Sequence, residues 1–142
     1  MNASKLRVYA RLQRAAHLLS KAADRELLSV AGITTAQAAV LAVISENDAQ
    51  TQKFIANALS LNESAVVAMA GRLEGLGLLS RTRSADDGRA WVISLTAKGK
   101  RTLSQVAKPF AAINTKIEAA VSPDDLAAFA GILDRLRKQF ED

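Results

Sequence analysis

The first quarter of the chain carries an apolar residue at nearly every third or fourth position. This spacing gathers the apolar side chains on one face of an α-helix and leaves the Lys and Arg residues off that face. It predicts a helix over residues 4–28, before a break at Gly32. The predicted apolar face consists of Leu6, Tyr9, Leu12, Ala16, Leu19, Ala23 and Leu27.

A second helix is predicted to begin near Thr34 and to end in the turn-forming residues 46–48. Thr34 and Gln37 have the spacing of a capping box, in which each side chain accepts a backbone N–H of the other residue. Its predicted inward face is Val40, Leu41 and Ile44.

A short helix, a tight turn and a further helix follow. The third helix is predicted over Gln52–Leu59 with Thr51 as its N-cap, and Asn62 ends the turn as the cap of the fourth helix. The fourth helix covers residues 63–76, and Gly77 suits the left-handed conformation that ends a helix. The residues predicted to be buried are Phe54, Ile55 and Leu59 in the third helix and Val66, Met69, Leu73 and Leu76 in the fourth.

The pattern then changes to the alternation that is typical of β-strands. Residues 78–83 and 91–95 are predicted strands, with Trp91, Ile93 and Leu95 on one face, and the polar residues 84–90 form the tip of a β-hairpin. A fifth helix over 97–120 begins after Thr96 and is expected to bend at Pro109. Ser122 and Pro123 start a last helix whose apolar seam suits packing against another helix, including one of a second chain: Leu126, Phe129, Leu133, Leu136 and Phe140.

The amino-acid composition excludes several classes of function. The chain has no cysteine and a single histidine, His17, which excludes disulfides, thiolate zinc sites and cysteine nucleophiles and predicts no bound metal. No triad, metal spacing or nucleotide fingerprint is present, so neither enzymatic activity nor a cofactor is expected. The basic N-terminus lacks the apolar core of a signal peptide and no apolar stretch is long enough to span a bilayer, which predicts a cytoplasmic protein.

The charge distribution points to a polyanionic partner. The formal net charge is +5, and residues 72–101 carry seven Lys and Arg against three Asp and Glu, a net of +4. The predicted elements come in the order helix, short helix, turn, helix and basic hairpin. This order is typical of a winged helix-turn-helix. The sequence therefore predicts a mainly α fold with a small β-hairpin wing that binds double-stranded DNA through the major groove and the backbone.

Two segments resemble the MarR family of bacterial transcription regulators. The first runs from Thr51 to Val66 and continues from Arg72 to Arg81, and the second, Asp87 to Gly99, resembles the wing of that family, with an aspartate, an arginine two residues later and a strand ending in Leu-Thr-x-x-Gly. The resemblance implies one domain over residues 1–142, in which 30–96 form the winged helix-turn-helix and 1–29 and 97–142 pair two subunits. It also implies a homodimeric regulator, most often a repressor, that a small-molecule effector releases from DNA.

The resemblance assigns roles to individual residues. Arg89 corresponds to the arginine of the wing tip and Asp87 to the residue that orients it, while Ser64 and Arg72 match polar positions of the recognition helix. Where the family usually has further polar side chains, this chain has Ala65, Val67 and Ala68, which predicts thin direct base readout. The full predicted DNA-binding set is Thr51, Gln52, Asn62, Ser64, Ala65, Val67, Ala68, Arg72, Arg81, Arg83, Asp87 and Arg89.

Several alternatives stay open at this point. Asp87 and Arg89 also fit a solvated turn, and Arg81 and Arg83 fit an exposed strand face. Arg72 also fits an intramolecular pair with Glu74 or Asp87. The candidate effector-binding residues are Tyr9, His17, Leu41 and Ile44, although a partly buried structural histidine and packing roles for Tyr9 and Trp91 are the more ordinary interpretations. The competing function is a winged-helix dimer that binds a protein or a small molecule and has little sequence preference for DNA.

Overall fold

The computed structural model describes residues 3–86, 88 and 90–141 of the chain. Over these residues the chain forms six helices and three short strands. In chain order they are α1 (Ala3–Ala31), α2 (Thr35–Asn47), β1 (Gln50–Thr51), α3 (Gln52–Leu59), α4 (Glu63–Gly75), β2 (Leu79–Arg83), β3 (Trp91–Leu95), α5 (Ala97–Ala120) and α6 (Pro123–Phe140). The predicted fold class, mainly α with a small β wing, is confirmed.

The chain divides into two compact units, residues 1–109 and 110–142. The first unit has an aliphatic core to which α1 to α5 and the strands β2 and β3 contribute, and each fully buried side chain of this size stabilises the fold by about 1.5–3 kcal/mol. The largest members of this core are Leu27, Ile33, Val40, Leu41, Ile44, Ile55, Val66, Leu73 and Ile93. In the second unit, α6 buries none of its described side chains.

The helix starts follow the predicted caps. Thr34 and Gln37 form the reciprocal capping box of α2, in which the Thr34 N–H donates to Gln37 Oε1 at 2.9 Å and the Gln37 N–H donates to Thr34 Oγ1 at 3.2 Å. Thr51, Asn62 and Ser122 accept backbone N–H groups in the first turns of α3, α4 and α6. Because these caps are local, the sequence alone predicts them correctly.

The end of α4 is bonded to the beginning of α5. Gly77, with φ of +75°, closes α4, and the N–H groups of Gly77 and Leu78 donate to Glu74 O and Leu73 O at 2.9 Å each. Thr96, the residue before α5, donates its hydroxyl to Gly77 O at 2.6 Å and accepts the N–H of Gly99 at 3.0 Å. The position of the candidate recognition helix is thus tied to α5 by hydrogen bonds as well as by packing.

The three strands form one antiparallel sheet in the order β1-β3-β2. In the β2–β3 hairpin, Leu79 lies opposite Leu95 and Arg83 lies opposite Trp91. β1 has only two residues, and it is absent from the predicted elements because so short a segment has no readable alternation. Among the described residues, no single helix is long and apolar enough to cross a membrane, and two bent helix pairs meet that criterion only when their members are taken together.

Three predictions of burial are wrong. Phe54 and Leu76 are 39% and 47% exposed. Phe54 precedes the buried Ile55 by one residue, which turns it about 100° away from the inward face of α3. Leu76 lies beyond the last residue of α4, and Leu78 after the turn is buried in its place.

The third wrong prediction concerns a histidine, and the structure also excludes one of the two packing roles considered for a tryptophan. His17 is exposed rather than partly buried, because every side chain of residues 7–21 in α1 is exposed. Trp91 does not pack in the core of its unit and is 40% exposed. Its strand still turns Ile93 into the core, but Trp91 lies at the outer end of the hairpin.

Candidate nucleic-acid interface

The helices α3 and α4 form a helix-turn-helix. The pair bends by 112° at the turn between them. Ser60 makes the turn tight because it adopts the left-handed conformation, with φ of 53°, and Leu61 donates its N–H to Ala56 O at 2.9 Å. An angle of about 90–120° is typical of DNA-binding helix-turn-helix motifs, whose second helix enters the major groove. α4 is therefore the candidate recognition helix.

The outward face of α4 carries small and apolar side chains. Ser64 donates its hydroxyl to Asn62 Oδ1 at 2.8 Å, and the same oxygen accepts the Ala65 N–H at 2.8 Å. Asn62 and Ser64 are thus engaged in capping the helix, and Ala65 is half-buried. Val67 is 42% exposed. The exposed residues of this face are Glu63, Ser64, Val67, Ala68 and Gly71.

The start of α3 supplies backbone donors. Thr51 accepts the Phe54 N–H at 3.2 Å, and both Thr51 and Gln52 are half-buried. The remaining amides of a helix N-terminus favour an anion, and in a helix-turn-helix a DNA phosphate is the usual one.

The wing carries the arginines of the candidate interface. Arg81 and Arg83 lie two residues apart on β2, and their side chains therefore lie on the same face of the strand. Asp87 and Arg89, the predicted residues of the wing tip, lie outside the described residues.

Arg81 is paired with the carboxylate of Glu74 at the end of α4. Its Nε donates to Glu74 Oε2 at 2.7 Å and its Nη2 donates to Oε1 at 3.3 Å. These hydrogen bonds lower the pKa of Glu74 and raise the pKa of Arg81. Both groups therefore stay charged at neutral pH.

Trp91 is the second partner of the two wing arginines. The guanidinium carbon of Arg83 lies 4.1 Å from the centroid of the indole ring, and that of Arg81 lies 5.9 Å from it. Both distances are within the range of cation–π attraction. The indole thus holds the arginines of β2 in place instead of filling the core.

Arg72 lies on the exposed side of α4. Of the two intramolecular pairs considered for it, the one with Glu74 is not found within the described part of the chain, since residues two apart on a helix point in different directions and Glu74 is paired with Arg81. The other candidate partner, Asp87, is outside the described residues. Arg72 therefore remains a candidate for contact with DNA.

The predicted effector-binding residues do not come together in one pocket. Leu41 and Ile44 belong to the core of the first unit, whereas Tyr9 and His17 are exposed on α1. A groove of about 600 Å³ lies beside α1 and is lined by Leu18, Lys21, Asp24, Arg25 and Leu28, none of which was predicted. A smaller cavity of about 210 Å³ includes Ile44 in its lining.

Two helices carry large exposed apolar faces. On α1 the exposed apolar residues are Val8, Tyr9, Leu12, Leu18, Leu19, Leu28 and Val30. On α6 they are Phe129, Ile132, Leu133, Leu136 and Phe140. Large apolar side chains that are exposed in this number indicate an interaction site, so each of the two helices is a candidate for contact with a second chain.

The Glu74–Arg81 pair and the Trp91 stack were not predicted from the sequence. The stack of Arg83 on Trp91 could have been predicted from the register of the hairpin. A symmetric pairing of the two predicted strands places Arg83 opposite Trp91. The Glu74–Arg81 contact joins residues of two elements whose relative position is fixed by the core. For this reason no local pattern in the sequence predicts it.

Comparison with known proteins gives one consistent result. The family described as the MarR family matches residues 31–90 of the chain. The HTH-type transcriptional repressor MdtR of Bacillus subtilis (strain 168) is 29% identical over 116 residues, which are 82% of this chain and 75% of MdtR.

Solved structures are similar over nearly the whole chain. The transcriptional repressor CouR, bound to a 23-mer DNA duplex, is 31% identical with a TM-score of 0.84, and the match covers 94% of each chain. The PcaV transcriptional regulator from Streptomyces coelicolor, in complex with its natural ligand, is 27% identical with a TM-score of 0.77, over 94% of this chain and 92% of PcaV.

Proposed function

Because the chain belongs to the MarR family of transcription regulators, we propose that it is a repressor that binds double-stranded DNA sequence-specifically as a homodimer. The observation that carries this proposal is the helix-turn-helix of α3 and α4 beside a wing that bears two arginines. The similarity to CouR, which was solved on a DNA duplex, supports the same function. A protein that binds DNA works in the compartment that holds it, so we place this one in the cytoplasm.

The proposed DNA contacts divide between backbone and bases. The N-terminal turns of α3 and α4, with Thr51, Gln52, Asn62 and Ser64, hold phosphates through their amides and hydroxyls. In the major groove, Val67 and Ala68 touch thymine methyl groups. Of the predicted wing arginines, Arg83 and Arg89 bind along the backbone or in the adjacent minor groove.

In the proposed dimer, residues 1–29 and 97–142 pair the subunits and residues 30–96 bind DNA. The exposed apolar faces of α1 and α6 support this division, because a homodimer interface buries such surface. Pairing also gives two recognition helices, which must match successive major grooves about 34–36 Å apart.

We further propose that a small-molecule effector controls the spacing of the two recognition helices. PcaV, a relative with the same fold, was solved with its natural ligand. A ligand that binds one spacing of the dimer better than another shifts the population toward it. Tyr9 and His17 on α1 remain the proposed contacts, whereas Leu41 and Ile44 are core residues that border such a site at most.

A reporter under the upstream region of the chain's own gene tests this function. Expression of the wild-type chain should lower the reporter signal, and Arg89→Ala should restore it, because loss of a wing arginine weakens DNA binding by about tenfold or more. Lys108→Ala on α5 removes the same charge outside the wing and serves as the control. A reporter signal that ignores the wild-type chain would count against repression at this promoter.

A second candidate function is favoured by the outward face of α4. Val67, Ala68 and Gly71 offer hardly any hydrogen-bond donors to bases. Such a surface also suits a protein partner, in which case the dimer would bind DNA weakly, with strong salt dependence and without sequence preference.

A further inference from the structure

Four side chains connect the recognition helix to the wing. Glu74 of α4 holds Arg81 of β2 through two hydrogen bonds of 2.7 and 3.3 Å. Arg81 lies 5.9 Å from the ring centroid of Trp91 on β3, and Arg83 lies 4.1 Å from the same centroid. We call Glu74, Arg81, Trp91 and Arg83 the wing clamp.

The strand register explains why the clamp forms. Arg83 lies directly opposite Trp91 in the antiparallel pair, and Arg81 lies two residues earlier on the same strand. Side chains at directly opposite and diagonal positions of one face are within contact distance of a large aromatic ring. The ring therefore interacts with both guanidinium groups, and Arg81 is also bonded to Glu74 of α4.

The charge of Arg81 is already compensated. A two-pronged arginine–carboxylate contact is among the stronger hydrogen-bonded pairs in proteins. A DNA phosphate bound to Arg81 would also lie close to the carboxylate of Glu74, which would repel it. The geometry thus favours a structural link over a direct DNA contact.

We propose that Arg81 is a positioning residue of the wing. Held by Glu74, it fixes Trp91, and through Trp91 the side chain of Arg83, relative to the recognition helix. Arg81 itself binds no DNA phosphate, which revises the role that the sequence gave it. The proposal rests on the DNA-binding function proposed above.

Replacement of Arg81 by lysine distinguishes a positioning role of this residue from a direct contact with a DNA phosphate. Lysine keeps the positive charge that a phosphate contact needs, but it cannot form the two-pronged bond or stack as a planar group. We would titrate wild-type protein, Arg81→Lys, Arg81→Gln, Glu74→Gln and the double variant Glu74→Gln/Arg81→Gln. The probes are a duplex from the gene's own upstream region and a scrambled duplex, over a range of salt concentrations.

Two control variants match these changes. Arg101→Lys makes the lysine exchange at an exposed arginine of α5, and Glu46→Gln removes an exposed carboxylate from α2. Thermal melting of each variant checks that it is folded. The chain has one tryptophan, Trp91, so quenching of its fluorescence by acrylamide reports the clamp in the free protein.

The proposal predicts that Arg81→Lys, Arg81→Gln and Glu74→Gln each lower the preference for the specific duplex by about tenfold. It predicts that the double variant Glu74→Gln/Arg81→Gln loses no more of this preference than either single variant does. The reason is that each single change already removes the Glu74–Arg81 link. Arg81→Lys should leave the salt slope unchanged, and all variants of the clamp should raise the quenching of Trp91. The controls should match the wild type.

Three results would overturn the proposal. Wild-type preference in Arg81→Lys, together with a fall of about 0.9 in the salt slope of Arg81→Gln, would make Arg81 a phosphate contact. Additive losses in the double variant, or unchanged quenching of Trp91, would mean that the clamp does not act as a unit. A wild-type protein that fails to distinguish the duplexes would contradict the proposed function itself, which the wild-type titration alone reveals.

Discussion

At the scale of single residues, Gly99 is the glycine at which another segment of the chain lies nearest. A Cβ atom added there would lie 2.1 Å from Leu78 O, a distance that no side chain can occupy. The first turn of α5 passes the end of α4 at this point, so the position accepts only glycine. The sequence alone does not reveal this requirement, because it arises from residues 21 positions apart. Gly77, by contrast, was predicted because a helix stop is a local signal.

Gly71, unlike Gly99, is expected to tolerate a larger side chain. It lies on the exposed face of α4, and a Cβ there would meet nothing within 4 Å. Gly71→Ala should therefore raise the free energy of unfolding by about 0.5–1 kcal/mol, since alanine loses less backbone entropy in a helix. Gly99→Ala, the matched change, should lower it by more than about 1 kcal/mol through overpacking. Urea denaturation measures both, and equal effects would contradict the packing described at Gly99.

At the scale of elements, what can be predicted depends on how local the signal is. The capping box of α2 and the caps of α3, α4 and α6 agree with the sequence because each involves residues three apart. β1 was missed because two residues become a strand only when β3 pairs with them. Phe54 and Leu76 were assigned to the core by their spacing, although the neighbouring elements decide which face is covered.

The capping box of α2 allows a test of whether local side chains determine where a helix begins. Thr34→Ala removes the oxygen that accepts the Gln37 N–H and should cost about 1 kcal/mol of unfolding free energy. Thr34→Ser keeps that oxygen and should cost much less. Thermal unfolding followed by circular dichroism compares the two variants, and an equal loss in both would show that the methyl group rather than the cap matters.

At the scale of the whole molecule, the proposed dimer needs a second copy of the chain to cover the exposed apolar side chains of α1 and α6. Spacing predicts an apolar seam on α1 and another on α6. The structure leaves Tyr9, Leu12 and Leu19 of the α1 seam exposed and buries its C-terminal members Ala23 and Leu27, and it leaves the α6 seam exposed from Phe129 to Phe140. What the sequence did not reveal is the wing clamp, because it depends on how α4, β2 and β3 are placed around one core. The resemblance of the wing points to Arg89, yet it gives no sign that Trp91 organises the arginines beside it.

Leu133 lies within the seam of α6 and is 39% exposed. Leu133→Glu should turn a dimer into a monomer at micromolar concentration, because a carboxylate in an apolar interface is costly to desolvate. Ala127→Glu introduces the same side chain on the other side of the helix, near its N-terminus, and should leave the dimer intact. Light scattering gives the mass, and a monomeric wild-type protein would exclude dimerisation through this seam.

Whether the chain is a dimeric, sequence-specific DNA-binding protein is best decided by titrating the wild-type protein into the upstream duplex and into a scrambled duplex of equal length at physiological salt. Light scattering of the complex gives its stoichiometry. We expect a preference for the upstream duplex of about a thousandfold or more and a complex of two chains on one duplex. Equal, weak binding to both duplexes would contradict it, and the apolar face of α4 would then indicate a protein partner rather than DNA.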